Sequence, residues 1–167
     1  LTSDNMAVCI HEIASISERR INQVLDPQWS NQKAFLANNQ GLESGLMIVQ
    51  YVAAAVIAEL SLLSNPVTTT NIPVSMGKED HVSMGATGAF RTFKSSKLLS
   101  LVISSELICS TQALDNIPEK ASDSVSSIHH WIRKYVPELI EDRSTSKDTE
   151  IIAEKILSRE FTNIFEK

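Results

Sequence analysis

The segment 43–66 (ESGLMIVQYVAAAVIAELSLLSNP) is apolar on nearly every side of a helix, and it most strongly limits what this chain can fold into. Such a helix either crosses a membrane or is buried by other protein. Gln50, Glu59 and Ser61 interrupt the run and no basic residues flank it, which favours burial. Because covering a helix of about 30 Å on all sides needs more protein than this chain supplies, we expect it to assemble with other subunits or with a further part of the protein.

Two further long helices are predicted on either side of this segment. Residues 3–25 carry apolar side chains at helical spacing, and Asp26-Pro27 supplies the stop. A third pattern of this kind runs over residues 80–114. Glycine and proline occur only five times each, and the alternation typical of strands is missing over most of the chain. The sequence therefore predicts an all-α fold built from long buried helices, which form part of a multi-subunit helical bundle.

The distribution of charge divides the chain into a long-helix core, residues 1–114, and a charged C-terminal helical tail, residues 115–167. The tail holds 11 of the 20 acidic and 8 of the 15 basic side chains, which predicts a surface-lying layer rather than a second core. Two short helices fit the tail, over residues 122–135 and 147–165.

Two segments of the core are predicted to be non-helical. Residues 26–42 show no apolar period and are interpreted as a connecting loop pinned by Trp29 and Phe35. Residues 66–83 begin with an extended, proline-containing stretch after Asn65-Pro66. This second segment, the loop 66–83, carries the densest group of charges in the core.

Composition excludes several functions. A net charge of −5 without a Lys/Arg cluster leaves no surface for a phosphate backbone, so nucleic acid is not an expected partner. Cys9 and Cys109 are two lone cysteines, interpreted as reduced, buried thiols, which indicates a cytoplasmic location. The start LTSDNMAVCI has no basic region and no initiator Met, so we expect a piece of a longer chain or a processed product rather than a signal peptide.

The stretch SMGKEDHVSMG, residues 75–85, is the candidate site. Its acidic residues fall where an extended segment is expected to become a helix, and a helix N-terminus stabilises carboxylates. One interpretation is that Glu79 or Asp80 merely caps the helix; the other is that the stretch contacts a ligand. Consecutive helical residues point about 100° apart, so neither Glu79, Asp80 and His81 nor the pair His129-His130 can converge on one ion. No metal site is predicted.

Four runs, in matching order and spacing, resemble the C-terminal portion of the histidine ammonia-lyases, a branch of the aromatic amino acid lyase family. They are SISERRINQVLDP (15–27), GLESGLMIVQYVAAAVIAE (41–59), IPVSMGKEDHVSMG (72–85) and ALDNIPEK…VPELIEDR in the tail. The resemblance implies an all-α homotetramer whose active sites draw residues from several subunits. It also implies elimination of ammonia from L-histidine to give urocanate, by an electrophilic methylidene-imidazolone group formed from an internal Ala-Ser-Gly. That tripeptide does not occur in this sequence.

The resemblance also implies roles for individual residues. Glu79 matches the family's active-site glutamate, which makes it the candidate catalytic and substrate-binding residue. Met47 matches a methionine that lines the substrate pocket. Lys78 stands where many family members have Gln, and its ammonium would help to keep Glu79 ionised. Asp80 and His81 are interpreted as fixing the junction between loop and helix.

Two functions follow. In the first, the chain is the C-terminal part of an ammonia-lyase and needs the N-terminal part, which carries the Ala-Ser-Gly-derived group. In the second, it is a catalytically inactive helical subunit that serves assembly. A membrane-inserted segment built around residues 43–66 is a third interpretation.

Overall fold

The computed structural model describes residues 1–165, and helices account for all the regular structure in that range. In chain order the α-helices are α1 (Thr2–Leu25), α2 (Pro27–Ser30), α3 (Met47–Leu63), α4 (Gly85–Asp115), α5 (Asp123–Arg133) and α6 (Ser146–Leu157). Short 3₁₀ turns occupy Ala34–Leu36, Ser75–Gly77 and Glu160–Ile164. The all-α prediction is confirmed, while the multi-subunit bundle stays a prediction.

The long helix α4 lies at the centre, and α1, α3 and α6 all pack against it. Helices α1 and α4 run parallel, since the start of α1 contacts the start of α4 and Ser17 Oγ, further along α1, donates to Glu106 Oε2 at 2.6 Å. Helix α3 runs antiparallel to α4. Near its C-terminal end Glu59 pairs with Lys94 in the early part of α4 at 2.6 Å.

Small side chains let the neighbouring helices approach α4 closely. Four serines of α4 are buried where other helices pack against it: Ser95, Ser100, Ser104 and Ser105. Ser104 Oγ donates to the carbonyl oxygen of Thr149 in α6 at 2.7 Å, which satisfies a hydroxyl that would otherwise be costly to bury. The serines of α4 therefore act as small packing residues, a role that apolar periodicity does not reveal.

One hydrophobic cluster joins the long helices and the C-terminal tail. The tail contributes buried side chains to this cluster, as α1 and α4 do. They are Trp131, Ile132, Val136, Leu139 and Ile152. The buried amide of Gln112 on α4 accepts from Leu139 N at 2.9 Å and donates to Leu139 O at 3.3 Å. The interpretation of the tail as a surface-lying layer was therefore wrong, although no observation tests the boundary at residue 114.

Helix α3 buries one stripe and leaves its other sides open. Val49, Ala53 and Leu60 are buried, whereas Tyr51 and Leu62 are among the exposed apolar side chains. The helix has 17 residues, or about 25 Å at 1.5 Å per residue. Within this chain, nothing that the structure describes covers the rest of α3. The sequence-based reason for expecting further protein around this helix therefore persists in the structure.

Helix α4 is long and apolar enough to cross a membrane by length and composition alone, but half of its most apolar stretch is buried in the fold. A core helix passes the same test. The membrane-inserted interpretation therefore gains no support from α4, and the expected absence of a membrane partner stays a prediction.

Two expected helix boundaries, the expected loop 26–42 and one of its two expected anchors differ from the structure. Helix α4 begins at Gly85 rather than at residue 80, and α6 ends at Leu157 because Arg159 adopts a left-handed conformation with φ of 64°. The segment 26–42 contains helical turns, and Trp29 is 70% exposed, so of the two expected anchors only Phe35 packs on the core.

The two cysteines occupy different environments. Cys109 is buried in the central helix, and burial raises the pKa of its thiol to about 12, which makes it unreactive. Cys9 is exposed, contrary to expectation. Both thiols are free, and the cytoplasmic location stays a prediction.

A buried ion pair ties together the ends of three helices. Asp4, at the start of α1, is 4% exposed and accepts a charge-assisted hydrogen bond from Arg91 of α4. Arg91 also donates to the carbonyl oxygen of Asn65, just after α3. The carboxylate further accepts from Val67 N at 3.0 Å and from Thr68 Oγ1 at 2.7 Å. This Asp4–Arg91 cluster fixes the point where the chain leaves α3.

The Asp4–Arg91 cluster predicts a specific loss of stability in acid. The Thr68 hydroxyl, followed by the Val67 amide, holds the pKa of Asp4 well below its ordinary value of 3.8. A lowered carboxyl pKa adds stability above the unfolded-state pKa, and this contribution is lost as the pH falls below about 4. We expect Asp4→Asn to lower the melting temperature by several degrees at pH 7, and by progressively less towards pH 3.

Glu12→Gln, at an exposed carboxylate on the same helix, is the matched control and should change the melting temperature little at either pH. Thermal unfolding followed by circular dichroism measures both variants. A deficit of Asp4→Asn that is equal at pH 7 and pH 3 would contradict the ion-pair account.

Candidate functional site

The loop 66–83 is anchored at its base and exposed beyond it. The Asp4–Arg91 cluster holds the backbone of Val67 and Thr68 against α1 and α4. Every residue from 68 to 81 is exposed. The loop therefore leaves the helical body at a fixed point and then extends into the solvent.

Within the loop, a small hairpin carries Glu79. Val74 N donates to Glu79 O at 2.9 Å, and Glu79 N donates back to Val74 O at 3.3 Å. Between them Ser75, Met76 and Gly77 all have positive φ, at 54°, 55° and 80°. The only glycine of this turn stands at the largest of these angles, where a side chain would be most strained. The backbone of Glu79 is thus held by a pair of hydrogen bonds, while its side chain is exposed and accessible to other groups.

A side-chain amide closes the neck of the loop. Asn71 Nδ2 donates to Val82 O at 2.9 Å, and Val82 N donates to Asn71 Oδ1 at 3.3 Å. The amide thereby imitates the paired hydrogen bonds of a β-ladder. Together with the Val74–Glu79 pair, it forms two successive cross-links that hold the hairpin.

The capping interpretation of the acidic stretch was wrong. Helix α4 starts at Gly85 with Met84 as its N-cap and without a side-chain cap, so neither Glu79 nor Asp80 lies at the helix terminus. Glu79 and Lys78 form no ion pair within residues 1–165, although both are exposed on the same turn. The structure leaves Glu79 available for a ligand or another chain.

Met47 is positioned by a second group of hydrogen bonds, which lies just before the start of α3. The carboxylate of Asp142, from the tail, accepts from Ser44 N at 2.8 Å and from Gly45 N at 2.9 Å. Leu46 N donates to the carbonyl oxygen of Phe35 at 2.9 Å. Both amides lie just before the helix, whose N-cap is Leu46, so the carboxylate holds the turn that leads into α3. Asp142 therefore fixes where α3, and with it Met47, begins.

Met47 lines two small cavities beside α3, of about 270 and 280 Å³. Phe35 lines both with it, and Tyr51 lines the first. Neither cavity includes a residue of the loop 66–83, since Met47 and the base of that loop lie at opposite ends of α3. Within one copy of the chain, Met47 and Glu79 therefore do not form a single enclosed site.

The structure also contains a groove that the sequence did not suggest. It lies in the tail, has a volume of about 870 Å³, and is lined by Trp131, Tyr135 and Glu160 among others. Lys155 Nζ donates to both Glu160 oxygens at 2.9 and 2.8 Å, and Tyr135 OH donates to one of them at 2.6 Å. The hydrogen bond with Lys155 lowers the pKa of Glu160, and the same bond raises the pKa of Lys155. With their charges compensated, these groups stabilise the tail.

No group of three or more His, Cys, Asp or Glu side chains in the described part of the chain could hold a metal ion. The assignment of Glu79 and Met47 to a site stays a prediction.

Comparison with known proteins identifies the family. The model of the aromatic amino acid lyases matches residues 1–134. The chain belongs to the aromatic amino acid lyase family. A histidine ammonia-lyase of Myxococcus xanthus is 38% identical over 96% of this chain, and one of Deinococcus radiodurans is 39% identical over 98%. The predicted resemblance to the C-terminal portion of histidine ammonia-lyases is confirmed.

Solved structures of the family share this fold. The chain superimposes on histidine ammonia-lyase from Trypanosoma cruzi with a TM-score of 0.93 at 31% identity, and on tyrosine aminomutase from Streptomyces globisporus with a TM-score of 0.95 at 27% identity. In both cases it covers 98% of its own length. Because enzymes with different named reactions fit almost equally well, the fold alone does not distinguish their substrates.

The chain spans about a third of the length of these relatives: 32% and 31% of the two bacterial enzymes and 32% of each solved structure. The cavities and side chains described above therefore correspond to only about a third of a complete relative.

The turn before α3 predicts an unusually costly glycine substitution. Gly45 has a φ of 55°, and a Cβ there would collide with the carbonyl oxygen of Phe35 and lie 3.0 Å from Ala37 N. We expect Gly45→Ala to cost about 1–3 kcal/mol of stability for the backbone strain, with a further loss from the collision.

Gly41→Ala is the matched control, because Gly41 also has a positive φ, of 87°, but open space around its Cβ position. Chemical denaturation of both variants gives the difference. Equal losses would show that the contact with Phe35 does not constrain the turn that presents Met47.

Proposed function

We propose that this chain is the C-terminal part of an ammonia-lyase that eliminates ammonia from L-histidine to give urocanate. The named activity of its relatives supports the reaction class. The observation that carries the proposal is the position of Glu79. This residue, matched to the family's active-site glutamate, lies on a hairpin whose backbone is fixed and whose carboxylate is exposed.

An exposed carboxylate on a held backbone suits recognition of a cationic substrate. Histidine offers an ammonium group and an imidazole N–H, and a charge-assisted hydrogen bond to either is worth about 1.5–3 kcal/mol. When the surrounding protein excludes water, the same carboxylate can also assist proton transfer at the substrate. Lys78, its neighbour in sequence, is proposed to contact the substrate. Met47 would add an apolar wall.

The electrophile of the family cannot form from this chain. Ala-Ser-Gly is absent from the sequence, so the residues present do not fit the methylidene-imidazolone group as its source. The proposal assigns that group to the N-terminal portion of the enzyme. This chain would supply binding and orientation of the substrate.

The proposed partners follow from what one chain leaves incomplete. Met47 and Glu79 lie towards different ends of α3, and much of α3 is exposed. We expect the N-terminal portion and further copies, in a homotetramer, to cover α3 and to complete each site. We further propose that the protein is cytoplasmic and that its substrate is a small amino acid. Neither nucleic acid nor a membrane is a proposed partner.

The second candidate is a catalytically inactive helical subunit that serves assembly, and the exposed apolar side of α3 favours it equally. Native mass spectrometry of the assembly distinguishes the two. A complex that includes a chain containing Ala-Ser-Gly supports the enzyme, whereas a complex without such a chain supports the assembly subunit.

The first prediction of the proposed function is that this chain alone produces no urocanate from histidine, because it lacks the residues from which the electrophile forms. Urocanate absorbance is recorded with the pure chain and again after addition of the N-terminal portion. A rise with the pure chain would refute the assignment of the electrophile to another part of the protein.

The second prediction concerns Glu79 in the complete enzyme. Glu79→Gln keeps the shape but removes the charge, and general acid–base assistance is typically worth about 10²- to 10⁴-fold. We expect kcat to fall at least about 100-fold. The tetramer and the melting temperature should be unchanged, since the hairpin is held by backbone atoms of this residue.

Glu154→Gln, at an exposed carboxylate on α6, is the control and should retain full turnover. Steady-state kinetics with histidine measures both variants. If Glu79→Gln retains the parent kcat, Glu79 does not take part in the reaction.

A further inference from the structure

We propose that Asn71 is a positioning residue for Glu79: its amide closes the neck of the hairpin and so sets where the carboxylate is presented. The inference rests on the proposed function of Glu79, which it deepens. Asn71 lies outside the acidic stretch and within the run VTTTNIP, where neither charge nor spacing indicates a role in the site.

The first step is that the hairpin has no packed core of its own. All residues from 71 to 81 are exposed, and Met76 at the tip is 96% exposed. Side-chain burial, which stabilises most of the fold, therefore contributes little to holding this segment. Its geometry depends on the hydrogen bonds that cross it.

The second step is that these cross-links are few and consecutive. The Val74–Glu79 backbone pair lies nearer the tip, and the contacts of Asn71 with Val82 lie at the neck. Opening the neck lets the two arms of the hairpin separate, which removes the support for the inner pair. The amide of Asn71 thereby controls the backbone of Glu79 without touching its side chain.

The third step is chemical. One side chain both donates to Val82 O and accepts from Val82 N, which requires a donor and an acceptor side by side. Asp at this position would keep the acceptor and lose the donor, and Ala would lose both. The number of hydrogen bonds that close the neck therefore decreases in the order Asn, Asp, Ala.

The consequence for catalysis is a loss of placement rather than of chemistry. A displacement of about 1 Å in a reacting geometry can cost on the order of 100-fold in rate. Because the base of the loop is separately held by Asp4, opening the neck would move the hairpin while the helices stay in place. A neck variant should consequently lower kcat at nearly unchanged melting temperature.

The experiment is a double-mutant cycle in the complete enzyme, which contains this chain together with the N-terminal portion. We expect Asn71→Ala to lower kcat by about 10- to 100-fold, with Asn71→Asp between it and the parent. In an enzyme that already carries Glu79→Gln, the same change should lower kcat less than about twofold, since a residue that acts through Glu79 has nothing left to position.

Thr70→Ala is the matched control: an exposed neighbour whose side chain makes no hydrogen bond among the described residues. It should leave kcat unchanged. Hydrogen–deuterium exchange on the same enzymes measures directly how often the hydrogen bonds at the neck open. The amides of Val74, Glu79 and Val82 should exchange about tenfold faster in Asn71→Ala, by the loss of roughly one hydrogen bond, and at the parent rate in Thr70→Ala.

The outcomes separate this inference from the proposed function. Parent kcat in Glu79→Gln refutes the proposed function, and the inference with it. A large effect of Glu79→Gln with parent kcat in Asn71→Ala refutes the inference alone. So does an Asn71→Ala loss that is equally large with and without Glu79, because that pattern would show an effect independent of the carboxylate.

Discussion

The ion pair between Asp4 and Arg91 is the contact on which the arrangement of the site depends. It lies where α1 begins, α3 has just ended and α4 is about to complete its second turn, so it fixes three helices at one point. Removing one partner of such a pair leaves a buried charge uncompensated, which is much more costly than losing a surface pair. The same carboxylate holds the first residues of the loop 66–83, so core stability and loop geometry share one group.

Periodicity predicted the existence of the long helices because each presents a continuous apolar stripe. It located α1 to within a residue or so, since Asp26-Pro27 ends that helix unambiguously. The start of α4 was misplaced because the acidic residues before it resemble a capping sequence, whereas the chain uses a hairpin there. The hairpin depends on a side-chain amide and a run of left-handed residues, and neither leaves an apolar pattern.

The tail illustrates a different reason for failure. Its charge density concealed that Trp131, Ile132 and Ile152 pack in the common core, since a short amphipathic helix needs few apolar residues to bury one side. The sequence pattern singled out the acidic stretch that contains Glu79, but only the resemblance to a known family distinguished Glu79 within it and pointed to Met47. The turn that places Met47 at the start of α3 depends on partners such as Asp142 that lie far away in the sequence.

That distance has an evolutionary consequence. Asp142 accepts the amides of Ser44 and Gly45, so a residue of the charged C-terminal region sets the register at which α3 starts. Substitutions around Asp142 could shift Met47, and thus the size of the space beside it, while every residue that lines that space stays the same. Relatives with identical lining residues therefore need not have cavities of identical size, because a residue of the tail helps to set that size.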